Sequence, residues 1–112
     1  MKINKSVKND ILIFQVMEDI TNQNPQELYN HIFTNLSAPS RNIVLDLEKV
    51  NYINSFALGI LIKIQQDLGD RGFRFYLWKT NTEVNALLKV TRVIDRFSII
   101  KSLEDIKIKS EM

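Results

Sequence analysis

The chain has 112 residues, with 15 Lys and Arg against 13 Asp and Glu, a net charge of +2 and no cysteine. That length points to one domain over residues 1–112, able to bury a core without covalent staples. The lack of cysteine excludes disulfides, thiolate catalysis and cysteine-ligated zinc, and the scattered basic residues form no stripe of the kind a nucleic-acid reader carries.

No apolar run reaches the roughly 20 residues of a membrane span. The opening MKINKSVKNDILIF lacks the uninterrupted apolar core of a signal peptide. The expectation is therefore a cytoplasmic protein with neither a nucleic-acid nor a membrane partner.

In chain order, the alternating stretch Lys2–Val7, the turn-like Lys8-Asn9-Asp10 and the apolar run Asp10–Met17 predict an antiparallel hairpin. Asn24 as N-cap and Pro25 at the first helical position open a helix. Leu28, Ile32 and Leu36 form its apolar stripe, and Ser37-Ala-Pro-Ser40 ends it. Asn42–Leu47 reads as a short buried strand, with Tyr52-Ile53 a brief extension. A helix from Ser55 to about Leu68 follows and stops at Gly69-Asp-Arg-Gly72. Phe73–Trp78 is a strand, Thr80 or Asn81 caps a helix over Thr82–Val90, Phe97–Ile100 is a last strand, and Ser102–Ile106 is a final helical turn. Strands alternating with helices give an α/β layer, parallel after the first hairpin, with right-handed crossovers. The expected architecture is a mixed, mostly parallel sheet of four to five strands packed by about four helices.

Chemistry is hard to build from these residues. His31 is the only histidine, and no carboxylates fall at metal-ligand spacing. With three glycines there is neither a phosphate loop nor a dinucleotide fingerprint. A Ser55 nucleophile needs a base, and nothing in its position recruits His31. The neighbours Glu18 and Asp19, and Glu104 and Asp105, read as solvated ends of elements. The aromatic strand Phe73–Trp78 reads as β propensity and core filling. No catalysis, cofactor or metal is expected.

The stretch Ile43-Val-Leu-Asp-Leu47, followed by Asn54-Ser-Phe-Ala-Leu-Gly59, resembles the core of a STAS domain, the family that includes the bacterial anti-sigma factor antagonists. The resemblance continues in Glu83-Val-x-x-Leu-Leu-x-x-Thr91 and in Ile94-Asp-x-Phe97-x-Ile99, so it spans nearly the whole chain. It implies a STAS-like fold and a protein partner, an anti-sigma factor or related kinase-like protein. In that family the second hydroxyl of the turn is the phosphoacceptor, at a helix N-terminus where an anion is favoured. Phe56 stands at that position here, Asn54 replaces the family's Asp, Ala57 replaces Gly, and Thr21 falls where many members carry a further Asp. Ser55, Leu58 and Gly59 match.

The turn Asn54-Ser55-Phe56-Ala57-Leu58-Gly59-Ile60 is thus the candidate contact. Ser55 reads as the helix N-cap, accepting from the amide of Ala57 or Leu58, rather than as a displaced phosphoacceptor. Gly59 reads as allowing close helix–strand packing. Helical stepping from Leu58 puts Leu61, Ile62, Gln65 and Leu68 inward, and Phe56 and Ile60 outward beside Lys63 and Asp67. Two outcomes stay open: Phe56 docks a partner without phosphate control, or a neighbouring element covers it. An alternative function is sensing of a nucleotide or other anion at this helix N-terminus. Self-association as a homodimer is left open.

Overall fold

The computed structural model describes residues 1–21, 24–37 and 40–106. Strands β1 (Ile3–Lys8) and β2 (Ile11–Val16) form the expected hairpin, Lys8 opposite Ile11 and Ile3 opposite Val16. Helix α1 (Pro25–Thr34) leads to β3 (Asn42–Asp46), α2 (Ser55–Asp70), β4 (Arg74–Trp78), α3 (Thr82–Val90) and β5 (Ser98–Ile100). The sheet order is β1-β2-β3-β4-β5, with every pair after the first parallel. Three α-helices are present among the described residues, where about four were expected. The predicted last helical turn is a 3-10 turn at Leu103–Asp105, and a second one lies at Ile94–Arg96.

The reason for this layering is in the burial. Leu12, Phe14, Ile43, Leu45 and Leu77 are fully buried and meet Leu28, Ile32, Leu61, Ile64, Leu68 and Leu88 from the helices. Each such side chain contributes about 1.5–3 kcal/mol relative to exposure. The opposite face carries a smaller cluster, Ile11, Ile13, Val44, Ile100 and Ile106. β2 and β3 are therefore covered on both faces, which is why they read as apolar runs rather than alternating ones.

Helix ends depart from the expected ones in instructive ways. Asn24 occupies the N-cap of α1 without capping it. Its oxygen instead accepts from the Thr21 amide at 3.0 Å, and its amide donates to the Asp19 carbonyl at 3.1 Å. α1 stops at Thr34, short of Leu36, and the Ala38-Pro39 part of the predicted stop lies outside the described residues. α2 continues past Leu68 to Asp70 and closes on Gly72 at φ 85°, with the Phe73 amide bonding the Leu68 carbonyl at 2.9 Å. α3 closes with the same pattern, Val93 amide to Leu88 carbonyl at 3.1 Å, but with Arg92 at φ 60° where a glycine is favoured.

Along α2 the buried face is turned by part of a turn from the one that helical stepping predicts. The buried positions are Ala57, Leu58, Leu61, Ile64 and Leu68, while Ile62 and Gln65 are only half-buried. Ile60 is half-buried as well, packed at the edge of the core rather than exposed. The cause is α1. The flank bearing Lys63 and Asp67 faces this helix: the Tyr29 hydroxyl donates to Asp67, and Lys63 bonds Asp67 at 3.3 Å and lies 5.6 Å from the Tyr29 ring centroid. The Tyr29 hydrogen bond, helped by Lys63 and Arg71, holds the Asp67 carboxyl below its ordinary range, and the same bond pushes the Tyr29 phenol up.

Candidate functional site

The segment between β3 and α2 begins with Asp46, a carboxylate only 4% exposed at the end of β3. It accepts from Gln15 Nε2 at 3.2 Å and from the Glu48 amide at 2.9 Å, and Lys79 Nζ lies 3.8 Å away. The Asp of the Val-Leu-Asp-Leu stretch therefore holds the Glu48 amide, next after the Leu47 amide that bonds the Trp78 carbonyl at 2.9 Å. Leu47 and Val50 then bury, the Val50 amide bonding the Leu47 carbonyl at 3.0 Å.

The middle of the turn is held from two other elements. Asp19, just beyond β2, accepts from the Asn51 amide at 2.7 Å and from the Tyr52 amide at 3.1 Å through one oxygen. Ile20 forms a parallel bridge to Ile53, its amide bonding the Tyr52 carbonyl at 3.3 Å. From the other side Asn81 donates to the Val50 carbonyl at 3.0 Å while its oxygen accepts from the Val84 amide at 2.8 Å, capping α3. One amide side chain thus ties the start of α3 to the turn.

Sequence reasoning missed both clamps. Asp19 was expected to be a solvated end, but β2 and β3 are parallel neighbours, so their exits lie side by side and its carboxylate meets the next crossover. Asp105 is a parallel case: it accepts from the Lys101 and Ser102 amides and closes the turn after β5. For Asn81 a signal did exist, since Asn and Thr80 competed as the α3 cap. Its second bond to residue 50 had none.

At the start of α2 the cap is corrected. Asn54, extended at φ −102° and ψ 176°, is the N-cap, and its oxygen accepts from the Ala57 amide at 2.8 Å. Ser55 is the first helical residue instead, exposed, and its hydroxyl has no hydrogen-bond partner among the described residues. The Asn54 oxygen already occupies the Ala57 donor, one of the amides that an anion at this helix end would use.

Phe56 is 62% exposed in the first turn of α2, so no neighbouring element covers it. Stepping places it on the flank of Ile60, Lys63 and Asp67, about two turns before the stretch from Lys63 to Asp67 where Tyr29 of α1 meets α2. Ala57 and Leu58 are buried beneath it. Gly59 is not a packing glycine: it is exposed, and a Cβ added there meets nothing within 4 Å. His31 packs edge-on to Phe14 at 6.0 Å between ring centroids, and no hydrogen bond joins it to Ser55 among the described residues. The described residues hold no group of three or more potential metal ligands and no helix long and apolar enough to cross a membrane.

A family model for the STAS domain matches residues 2–106. Among solved structures the chain is similar to a Thermotoga maritima protein assigned to the anti-sigma factor antagonists, with a TM-score of 0.82 and 21% identity over 92% of this chain and 89% of that one. An anti-sigma factor antagonist from Mycobacterium paratuberculosis superposes with a TM-score of 0.78 at 18% identity, covering 93% and 88% of the two chains. For an RsbS variant from Moorella thermoacetica the values are 0.74 and 16%, covering 93% and 90%. At these identities the likeness speaks for the fold.

Proposed function

Because this chain belongs to the STAS domain family, we propose that it is a non-catalytic regulator acting by protein–protein recognition through residues 54–60. It works in the manner of an anti-sigma factor antagonist, and phosphorylation at residue 56 does not control it, because a phenyl ring has no hydroxyl to modify.

The observation that carries the reading is the ring of Phe56, 62% exposed on the first turn of a well-capped helix. A large aromatic held on a rigid element loses little freedom on binding, and such residues dominate interface energetics. Gly59, one turn further on, supports it. Gly costs a helix interior about 0.8–1 kcal/mol against Ala, and among the described residues no atom lies within 4 Å of where the Cβ would be. The vacancy leaves a partner room to approach α2 closely beside the ring. Ser55 serves as the first helical residue and not as a substitute acceptor.

The partner class is an anti-sigma factor or related kinase-like protein. Binding to such proteins encoded in the same genome, measured by calorimetry, tests the proposal. Phe56→Asp is expected to weaken the complex by at least about 30-fold, the roughly 2 kcal/mol of a hot-spot residue, with unfolding unchanged because the ring is exposed. Incubation with ATP and the bound kinase-like partner is expected to leave the turn unlabelled. Unchanged affinity of the variant, or stoichiometric phosphate on Ser55 that releases the partner, overturns the reading.

A further inference from the structure

We propose that a cleft between the turn and α3 is a second docking site, which takes an apolar side chain from a basic amphipathic helix of a protein partner. The inference rests on the reading that the turn is a protein contact, and extends that contact to α3.

The cleft has a volume of about 290 Å³ and is lined by Tyr52, Ile53, Glu83, Ala86, Leu87 and Val90. That volume lies at the foot of the range of about 300 to 1,000 Å³ for small-molecule pockets and is enough to take one large side chain. Two of its walls are unusually open for apolar residues, Tyr52 at 51% and Val90 at 79% exposed. α3 buries only Val84 and Leu88 against the core. On its second apolar flank Leu87 is half-buried against the core, while Ala86 and Val90 are exposed. Residues spaced i, i+3, i+4 and i+7 along a helix are the surface another helix reads in groove recognition.

Charge selects the occupant. The chain as a whole is positive, yet the carboxyl ends of β2 and β3, the loops after them and the start of α3 carry Glu18, Asp19, Asp46, Glu48 and Glu83 against Lys49 and Lys79, with Lys89 and Arg92 at the far end of α3 beside Val90. Lys79 is already engaged, 3.8 Å from Asp46 and 3.7 Å from Glu48. Glu83, at the mouth of the cleft, has no ion-pair partner among the described residues. An apolar slot with an unpaired carboxylate at its rim, within a negative end, attracts a cationic helix and disfavours an anionic one.

The test uses the isotope-labelled full chain and two synthetic helical peptides with the same leucine face, one otherwise lysine and one otherwise glutamate. The Leu–Lys peptide is expected to give saturable NMR shifts at the amides of Ile53, Ala86 and Leu87. Its affinity should exceed that of the Leu–Glu peptide by roughly ten-fold. Glu83→Lys should reverse the preference and Val90→Asn should weaken binding; both residues are exposed, so both variants fold. Phe56→Asp should leave this titration unchanged, which separates failure of the cleft from failure of the preceding proposal. Unsaturable or dispersed shifts, equal affinity for the two peptides, or indifference to Val90→Asn overturn the inference. So does concentration-dependent self-association that shifts the same amides without peptide, which assigns the cleft to a second copy.

Discussion

Replacing Asp19 by Ala removes the one oxygen that receives the amides of Asn51 and Tyr52, at 2.7 and 3.1 Å. A hydrogen bond to a charged acceptor contributes about 1.5–3 kcal/mol, so two intact bonds set an upper limit of several kcal/mol. Asn51 and Tyr52 are exposed, and water can satisfy both amides after the substitution. The expected loss is therefore about 2 kcal/mol, equivalent to a fall in Tm of roughly 8 °C for a domain of this size. Asp19→Asn keeps an acceptor oxygen without the charge and should cost about half as much. Urea unfolding gives the global value, and hydrogen exchange at the Asn51 and Tyr52 amides gives the local one, with protection reduced about 30-fold. Glu18→Ala is the control, since its only described bond is an exposed one from Asn24 at 3.2 Å. A loss below about 0.5 kcal/mol for Asp19→Ala, or unaltered exchange at those two amides, refutes the clamp and leaves Ile53 and Asn81 as the anchors of the turn.

Gly59→Ala should raise stability by about 0.5–1 kcal/mol, because the added methyl meets open space on a helix interior; thermal denaturation reads it, and a decrease would mean a hidden clash. Arg92→Gly should also stabilise, by about 1 kcal/mol, since it relieves a left-handed non-glycine residue at the end of α3. Asn81→Ala should cost about 1–2 kcal/mol by removing the α3 cap and the tether to the Val50 carbonyl together, and it should accelerate exchange at Val84. Tyr29→Phe should change the pH profile of unfolding at both limbs. Asp67 is depressed in the folded chain, so its contribution is present above its unfolded value and lost as pH falls through the folded one. Tyr29 is raised, so its contribution is present below about pH 10 and lost as pH rises through the folded value. Both losses should shrink in the variant when stability is measured across pH by urea titration.

Much of the architecture was readable from local pattern. The runs Ile11–Val16 and Asn42–Asp46, the Pro25 helix start and the bounds of α3 depend on neighbours within a few residues, and alternation with helices made the sheet parallel. Helical stepping put Phe56 on the outward side of α2 but left open whether another element covers it, and the tertiary structure shows it 62% exposed. The same stepping misplaced Ile60 and Ile62 by part of a turn and left out the buried Ile64. Periodicity locates one apolar arc, whereas α2 packs against both the sheet and α1, and the second contact rotates the buried face.

The amino-acid sequence by itself determined the α/β class, the family resemblance and a turn with an aromatic where a hydroxyl is usual. Only the tertiary structure decided that Asn54 and not Ser55 caps α2, that Gly59 opens to solvent, and that Asp19 and Asn81 grip the turn from either side. The roles of Asp19 and Asn81 join groups about 30 residues apart in the chain, which meet because parallel strands deliver their carboxyl ends to one edge of the sheet. Hydrophobic periodicity carries no information about which polar group will find which backbone amide there.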